Sequence, residues 1–366
     1  MKSLNSPKWV TAIGFILLTI GFSIESLREG TILVVSILFS GWLAICLHEL
    51  GHVIVGKWNG FEFGFFTAGP IQIEMTMEGI QIKENKRWLF IGGVAMMIPP
   101  STTKEKLRLK WAAAVAGGPA ISLAAASLSY FLYVWMHNDF LLFSATMNSA
   151  IFMATIIPMK IHMKSDGYQL ITLFKKNEES FNLIDDLLIM KELLSKKHPL
   201  DWSREYLQKA EEKEVKKGNI FYAQMIFYRE VVSNGFKPAM EKINSYRNIP
   251  FTKKDKHILG FLIHLEQLSL FFSNEPNVTE MIKLQRSLTK IEAVSYYRGK
   301  AIIAHLQNNE EKAYEKLQYV KKIIADNGAL YGYFQAEAEL TKMVENKMAQ
   351  SHAYRHAGEG HLLDGY

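Results

Sequence analysis

The sequence is 366 residues long, carries a formal net charge of +6 and contains one cysteine. A single thiol excludes an internal disulfide and a CxxC metal site, so Cys46 is expected to be a small packing residue. Much of the positive excess lies beside apolar segments, which indicates a membrane surface and no nucleic-acid partner. The length allows two domains, and hydropathy differs sharply between the two halves of the chain.

Four apolar runs without charged residues occupy the first half of the chain. They cover residues 9–24, 31–47, 111–136 and 140–159. The first run is short and follows Lys2 and Lys8, as in a secretory signal, but no small-residue cleavage site follows it. The sequence therefore predicts a mainly α protein whose first part is a polytopic membrane helix bundle with about four spans.

The distribution of Lys and Arg predicts the orientation of these spans. Positive residues are frequent in the segments 57–110 and 160–176, whereas the short connections ESLREG and HND contain one Arg between them. Cytoplasmic loops carry the excess of positive charge. We therefore expect a multi-pass protein of the cell membrane, in contact with the lipid bilayer and with both termini in the cytoplasm.

Between the second and third runs, residues 71–82 alternate apolar and polar side chains around Glu78-Gly79. This pattern is typical of a β-hairpin. The whole loop is too short for a typical inserted domain. The first domain is predicted to cover residues 1–175.

Residues 176–350 have apolar residues at three- and four-residue spacing, which predicts a soluble all-α domain. The stretch 296–328 indicates two amphipathic helices joined by a polar turn at 307–309, similar to a tetratricopeptide-like helical pair. The tail 351–366 is predicted to be disordered. The tail contains three histidines that could suggest a metal site, but a solvated tail is the favoured interpretation; they are His352, His356 and His361.

The segment CLHELGHVIV lies at the end of the second apolar run and carries two imidazoles and a carboxylate. His48 and His52 are four residues apart, so in a helix they project from the same face. This spacing suits two nitrogen ligands of one zinc ion, with Glu49 beside them as a base. Polar groups are costly in a membrane span, which favours a metal site over two buried structural histidines.

A catalytic zinc needs a third protein ligand and one open position. The residues just beyond the fourth run offer two candidates, His162 and Asp166, and both are expected to reach the depth of His52. A carboxylate would offset two neutral imidazoles with negative charge, which favours Asp166. Gly167 is expected to let the backbone turn tightly there.

HELGH in one span, AGGPAIS in the next and a late P…DG segment resemble the site-2 protease family of intramembrane zinc metalloproteases. The resemblance covers about residues 30–170, and FFTAGPIQI and IGGVAMMIPP are similar to the bacterial members. It implies that His48, His52 and Asp166 bind Zn²⁺ and that Glu49 is the catalytic base.

Some polar positions differ from the family pattern. Ser122 and Thr155 stand where members usually have Asn, and the interval from Pro158 to Asp166 is longer than usual, whereas Asn148 is kept. The resemblance implies a set of substrate-positioning residues, consisting of Asn148, Thr155, Pro158, Gly118 and Pro119.

The implied function is hydrolysis of peptide bonds in membrane-embedded or membrane-associated peptides or regulators. The hairpin 71–82 either offers an edge to which an extended substrate adds as a strand or only caps the bundle. The alternative function is a non-proteolytic membrane scaffold or metal-dependent sensor that binds a protein partner through its helical domain. Glu49 favours the protease, because a structural zinc site needs four closed ligands and no adjacent base.

Overall fold

The structure is a computed structural model and describes residues 7–76, 79–85, 88–160, 164–250, 256–290 and 292–360. The candidate ligand His162 and the tail residue His361 lie outside the described residues. The chain divides into two compact units, Met1–Leu187 and Leu188–Tyr366. The sequence-based boundary at residue 175 lies twelve residues before this division, which falls within a helix.

Four apolar helices account for the apolar runs of the first unit, and they are α1 (Pro7–Ser23), α2 (Arg28–Trp58), α3 (Lys104–Met136) and α4 (Asp139–Ile156). Among the described residues, three segments are long and apolar enough to cross a membrane: Glu25–Trp58, Lys104–Met136 and Asp139–Ile156. The first helix is apolar but has only 17 residues. A fourth span at α1 therefore stays a prediction. Two further helices follow, α5 (Asp166–Phe174) and α6 (Glu178–Leu193).

A four-stranded antiparallel sheet connects α2 to α3, where the sequence predicts only a hairpin. Its strands are β1 (Glu62–Ala68), β2 (Ile71–Thr76), β3 (Gly79–Glu84) and β4 (Val94–Ile98). The hairpin is β2–β3, with Ile73 opposite Ile82. The strand order β3-β2-β1-β4 places β4 at the edge opposite β3. The outer pairing of β1 with β4 joins residues about thirty positions apart, which local alternation does not reveal.

The second unit is all-helical in its described part. Its helices are α7 (Arg204–Glu211), α8 (Ile220–Asn234), α9 (Phe236–Lys242), α10 (Asn244–Arg247), α11 (Lys256–Phe272), α12 (Val278–Gln285), α13 (Ala293–Leu306), α14 (Glu310–Gly328) and α15 (Phe334–Gly360). The antiparallel pair α13–α14 with its turn at 307–309 confirms the two helices predicted there. A regular tetratricopeptide-like repeat stays a prediction.

A buried polar network lies inside the apolar core of the second unit. Arg298 is 1% exposed and pairs with Glu337 at 2.7 Å, while its Nε donates to His264 Nε2 at 3.0 Å. Burial and the Arg298 charge hold the pKa of His264 well below its usual range, so its ring remains a neutral acceptor. The network joins α11, α13 and α15, and buried polar groups paired in this way favour one packing arrangement over others.

The last helix extends further than the sequence indicates. Residues 351–360 continue α15 as helix, although disorder is predicted for residues 351–366. The segment SHAYRHA contains no Gly or Pro, so nothing in it terminates a helix that the preceding residues have already nucleated.

We expect a fragment covering residues 176–366 to fold as a soluble helical domain without bound zinc. The fragment should begin before α6, because Ile189 and Leu193 of that helix belong to the core of the second unit. Far-UV circular dichroism should give a helical spectrum, and metal analysis should find no stoichiometric zinc, since the proposed ligands precede residue 176. A spectrum dominated by strand or coil would contradict the first expectation, and stoichiometric zinc the second.

Candidate metal centre

The last three turns of α2 carry the HELGH motif into close contact with α3. A Cβ atom on Gly51 would overlap the carbonyl of Gly117, and one on Gly117 would overlap the Gly51 carbonyl. The two helix backbones therefore touch at this point, which only small residues permit. A Cβ on Gly118 would likewise overlap the ring of His52. These glycines bring the imidazoles of α2 against the polar atoms of α3.

Three potential ligand atoms converge where α2 meets the start of α5. The Nε2 atoms of His48 and His52 are 3.2 Å apart, and Asp166 Oδ2 lies 3.2 Å from the first and 3.5 Å from the second. Ligands of a tetrahedral zinc ion with bonds of ~2.0–2.1 Å lie ~3.3–3.4 Å from one another. The triangle therefore has the size of one face of a zinc coordination tetrahedron.

The other ring nitrogens of both histidines have partners on α3. His52 Nδ1 lies 3.0 Å from the carbonyl oxygen of Ala114, which can only accept, so Nδ1 carries the proton and Nε2 presents a lone pair. His48 Nδ1 lies 3.0 Å from Ser122 Oγ. Lone pairs of His52 and the Asp166 carboxylate thus meet at one point, where a cation would satisfy them. The donor set fits zinc.

Asp166 is placed by contacts at the beginning of α5. Ser165 is the N-cap, and its Oγ accepts from Tyr168 N at 3.3 Å and donates to the Ile157 carbonyl at 2.7 Å. A Cβ on Gly167 would overlap the Ile156 carbonyl. The sequence suggests that Gly167 makes a tight turn, but it lies in a helix without a positive φ. Its lack of a side chain instead lets α5 pack against the end of α4.

The carboxylate of Glu49 is buried beside the ligands and faces the segment that leads into β4. Ala95, the second residue of β4, lines the same cavity as this carboxylate. Gly93 has a φ of +97°, and a Cβ there would lie 2.7 Å from Glu49 Oε1. A larger residue at position 93 would therefore strain the backbone and press against the carboxylate.

All four motif residues line one cavity of about 530 Å³, namely His48, Glu49, His52 and Asp166. Gly93 and β4 form one wall, and α4 contributes Ile151, Ala154 and Thr155. A buried base, three convergent ligand atoms and adjacent free volume are the parts that metal-assisted hydrolysis requires.

The proposed substrate-positioning residues fall in different places. Thr155 lines the cavity. Asn148 is buried, and its side-chain amide donates to the Ser144 carbonyl at 2.8 Å. Pro158 is exposed after α4, whereas Gly118 and Pro119 lie buried within α3. The cavity lining does not include these four residues. Their assignment to substrate stays a prediction.

Sequence reasoning missed the groups that hold the ligands. The Ala114 carbonyl has no sequence signal, because any residue supplies one. Ser122 is the last residue of AGGPAIS and lies seven residues after Val115 on α3, the helix that carries the glycines. Only the fold shows that its side chain reaches His48. The pair Gly92-Gly93 is the signal that could have indicated a close approach of backbone to the site.

Comparison with protein-family models gives a match to peptidase family M50 over residues 35–351. The match includes the HELGH motif and Asp166, and it extends through most of the second unit. Comparisons with curated proteins and with solved structures gave no significant match.

We expect Ser122→Ala to weaken zinc binding about 10–100-fold, because partners of ligating histidines typically contribute that much to metal affinity. Competition with a chelator of known affinity measures the change in the purified protein. Ser144→Ala is the matched control, since the Ser144 hydroxyl contacts Ser129 and not a ligand. Equal zinc affinities in the two variants would show that the Ser122 hydroxyl does not support His48.

Proposed function

Because the chain belongs to peptidase family M50, the site-2 protease family, we propose that it is an intramembrane zinc metalloprotease. It hydrolyses peptide bonds of membrane-embedded or membrane-associated peptides or regulators. The observation that carries this proposal is the triangle of His48, His52 and Asp166 ligand atoms with Glu49 at the wall of the same cavity. A bound zinc ion would polarise the scissile carbonyl and lower the pKa of a water molecule towards ~7.

Glu49 is the proton carrier in this proposal. Its carboxylate accepts the proton of the attacking water and later gives it to the nitrogen of the leaving amine. The carboxylate lines the cavity beside Gly93 and Ala95. A non-proteolytic scaffold or sensor would have no use for a buried carboxylate beside three ligands and free volume.

An extended substrate has a docking edge at β4. This strand pairs with β1 on one side, and no described strand pairs with its other side. Val94, Ala95 and Met97 of β4 line the cavity. A peptide that added to this edge would pass beside Glu49. The substrate edge is therefore proposed at β4, since the outer strand of the hairpin, β3, is at the opposite side of the sheet.

The membrane assignment rests on three apolar helices of 18 to 34 residues. We propose a multi-pass arrangement in the cell membrane with cytoplasmic termini, because the Lys and Arg residues concentrate in the segments on that side. The second unit would then be cytoplasmic, and its helical surface would bind a protein partner.

Glu49→Gln should retain zinc and reduce peptide hydrolysis by about 10²–10⁴-fold, because it removes the base and leaves the three ligands intact. The measurement compares bound zinc in the purified variants with the accumulation of uncleaved membrane peptides in cells that carry each variant. Wild-type cleavage by Glu49→Gln would contradict the proposed reaction, and loss of zinc would make Glu49 a ligand.

Asp166→Ala should lose both zinc and cleavage, whereas His162→Ala should keep both. Asp166 Oδ2 completes the triangle, and a His₂-carboxylate set is a known catalytic zinc arrangement. Zinc content and cleavage of a membrane peptide are measured for the two variants in parallel. The reverse outcome would assign the third ligand to His162.

A further inference from the structure

Arg108, in the second turn of α3, is a buried cation whose shortest contact is to a carbonyl group. The residue is 1% exposed. Its Nη1 donates to the Leu173 carbonyl at 2.5 Å, and its Nε lies 3.3 Å from a carboxylate oxygen of Glu105. The Glu105 side chain is 60% exposed, so solvent weakens its charge. Burying a charge with so little compensation lowers the stability of the fold. Such a charge is kept where it makes a specific contact that the structure requires.

The contact that Arg108 makes is with the C-terminal end of α5. The Leu173 carbonyl is among the last four of that helix, which have no partner within the helix. A cation at this end also interacts favourably with the helix dipole. The Ser180 hydroxyl donates to the same oxygen at a longer 3.4 Å. Arg108 therefore makes the shorter of the two side-chain hydrogen bonds to this end of α5.

Fixing α5 matters because Asp166 is its first residue. A helix of nine residues is not stable alone, so its direction depends on what holds its ends. Nine residues of helix are ~12 Å long, and a tilt of ~5° about the Leu173 end would move Asp166 by ~1 Å. Metal–ligand distances tolerate shifts of only ~0.2 Å. A small change in the direction of α5 would thus take the carboxylate away from His48 and His52.

We propose that Arg108 is a positioning residue for the third metal ligand: it holds α5 at the angle that places the Asp166 carboxylate against the two imidazoles. This inference rests on the metal site proposed above. Arg108 does not line the cavity and does not touch the reacting atoms. It acts through the backbone of α5.

The test compares zinc affinity in full-length protein, measured by chelator competition. Arg108→Met should weaken zinc binding about 10–100-fold. Arg108→Lys, which keeps a cation that can reach the carbonyl, should lose less. The cobalt-substituted protein should show an altered visible absorption spectrum in Arg108→Met and a nearly unchanged spectrum in Arg108→Lys, because the spectrum reports the ligand geometry. If Arg108→Met does not accumulate in membranes, Arg108→Gln replaces it as the uncharged variant.

Lys104→Met is the matched control on the same end of α3. Lys104 pairs with Asp185 at 2.7 Å, so this variant removes a charged contact of α3 that does not involve α5. Its zinc affinity and cobalt spectrum should equal those of the wild type. An equal loss in Lys104→Met and Arg108→Met would show that any weakening of this end of α3 disturbs the site, and would overturn the specific role of Arg108.

A double-mutant cycle with Asp166→Asn separates positioning from general stability. If Arg108 acts through Asp166, Arg108→Met should add little to the loss already caused by Asp166→Asn. If Arg108→Met lowered zinc affinity as much in the Asp166→Asn variant as it does in the wild type, the inference would be overturned. Wild-type affinity in Arg108→Met, with weak binding in Asp166→Asn, would overturn the inference alone. Wild-type affinity in Asp166→Asn would overturn the metal site and the inference with it.

Discussion

The contact between the backbones of α2 and α3 at Gly51 and Gly117 is the constraint on which the centre depends. Lipid provides no hydrophobic force between helices, so close association requires surfaces without side chains in the way. At this contact a single added Cβ atom would meet a carbonyl group. Because the helices approach so closely, acceptors on α3 reach the far nitrogens of imidazoles on α2. An ångström of separation would leave two histidines with unsatisfied polar atoms inside a span, which is a costly state.

One face of α3 then serves all three proposed ligands. The Ala114 carbonyl and the Ser122 hydroxyl contact the two imidazoles, and Gly118, midway between them, leaves space for the His52 ring. Positions 114, 118 and 122 are four residues apart and therefore lie on one side of the helix. Arg108, further towards the start of α3, contacts the helix that carries Asp166. A single helix, α3, thus sets the relative positions of ligands that come from two separate segments, α2 and α5.

The sequence indicates the candidate ligands and base of the site better than it indicates the groups that hold them in place. Residue type and helical spacing indicated His48, Glu49 and His52, and the charge and position of Asp166 indicated that residue; the structure brings all four to one cavity. Their partners were not predictable, because a carbonyl such as that of Ala114 is present at every residue. The sheet shows the same limit: alternation revealed the hairpin β2–β3, but not the pairing of β1 with β4 across the turn and the hairpin between them. Gly167 was correctly singled out and given the wrong reason, since the carbonyl it approaches belongs to the preceding helix.

The edge strand β4 links substrate docking to the base. Val94, Ala95 and Met97 of this strand line the cavity that also contains the Glu49 carboxylate. In the proposed mechanism an extended peptide would pair with β4, so its scissile amide would be placed beside the cavity wall that Glu49 faces. Glu49 lies on α2, which packs against β4, so the separation of base and substrate depends on that packing. Preorganisation of this kind lowers the cost of bringing reacting groups to the correct geometry.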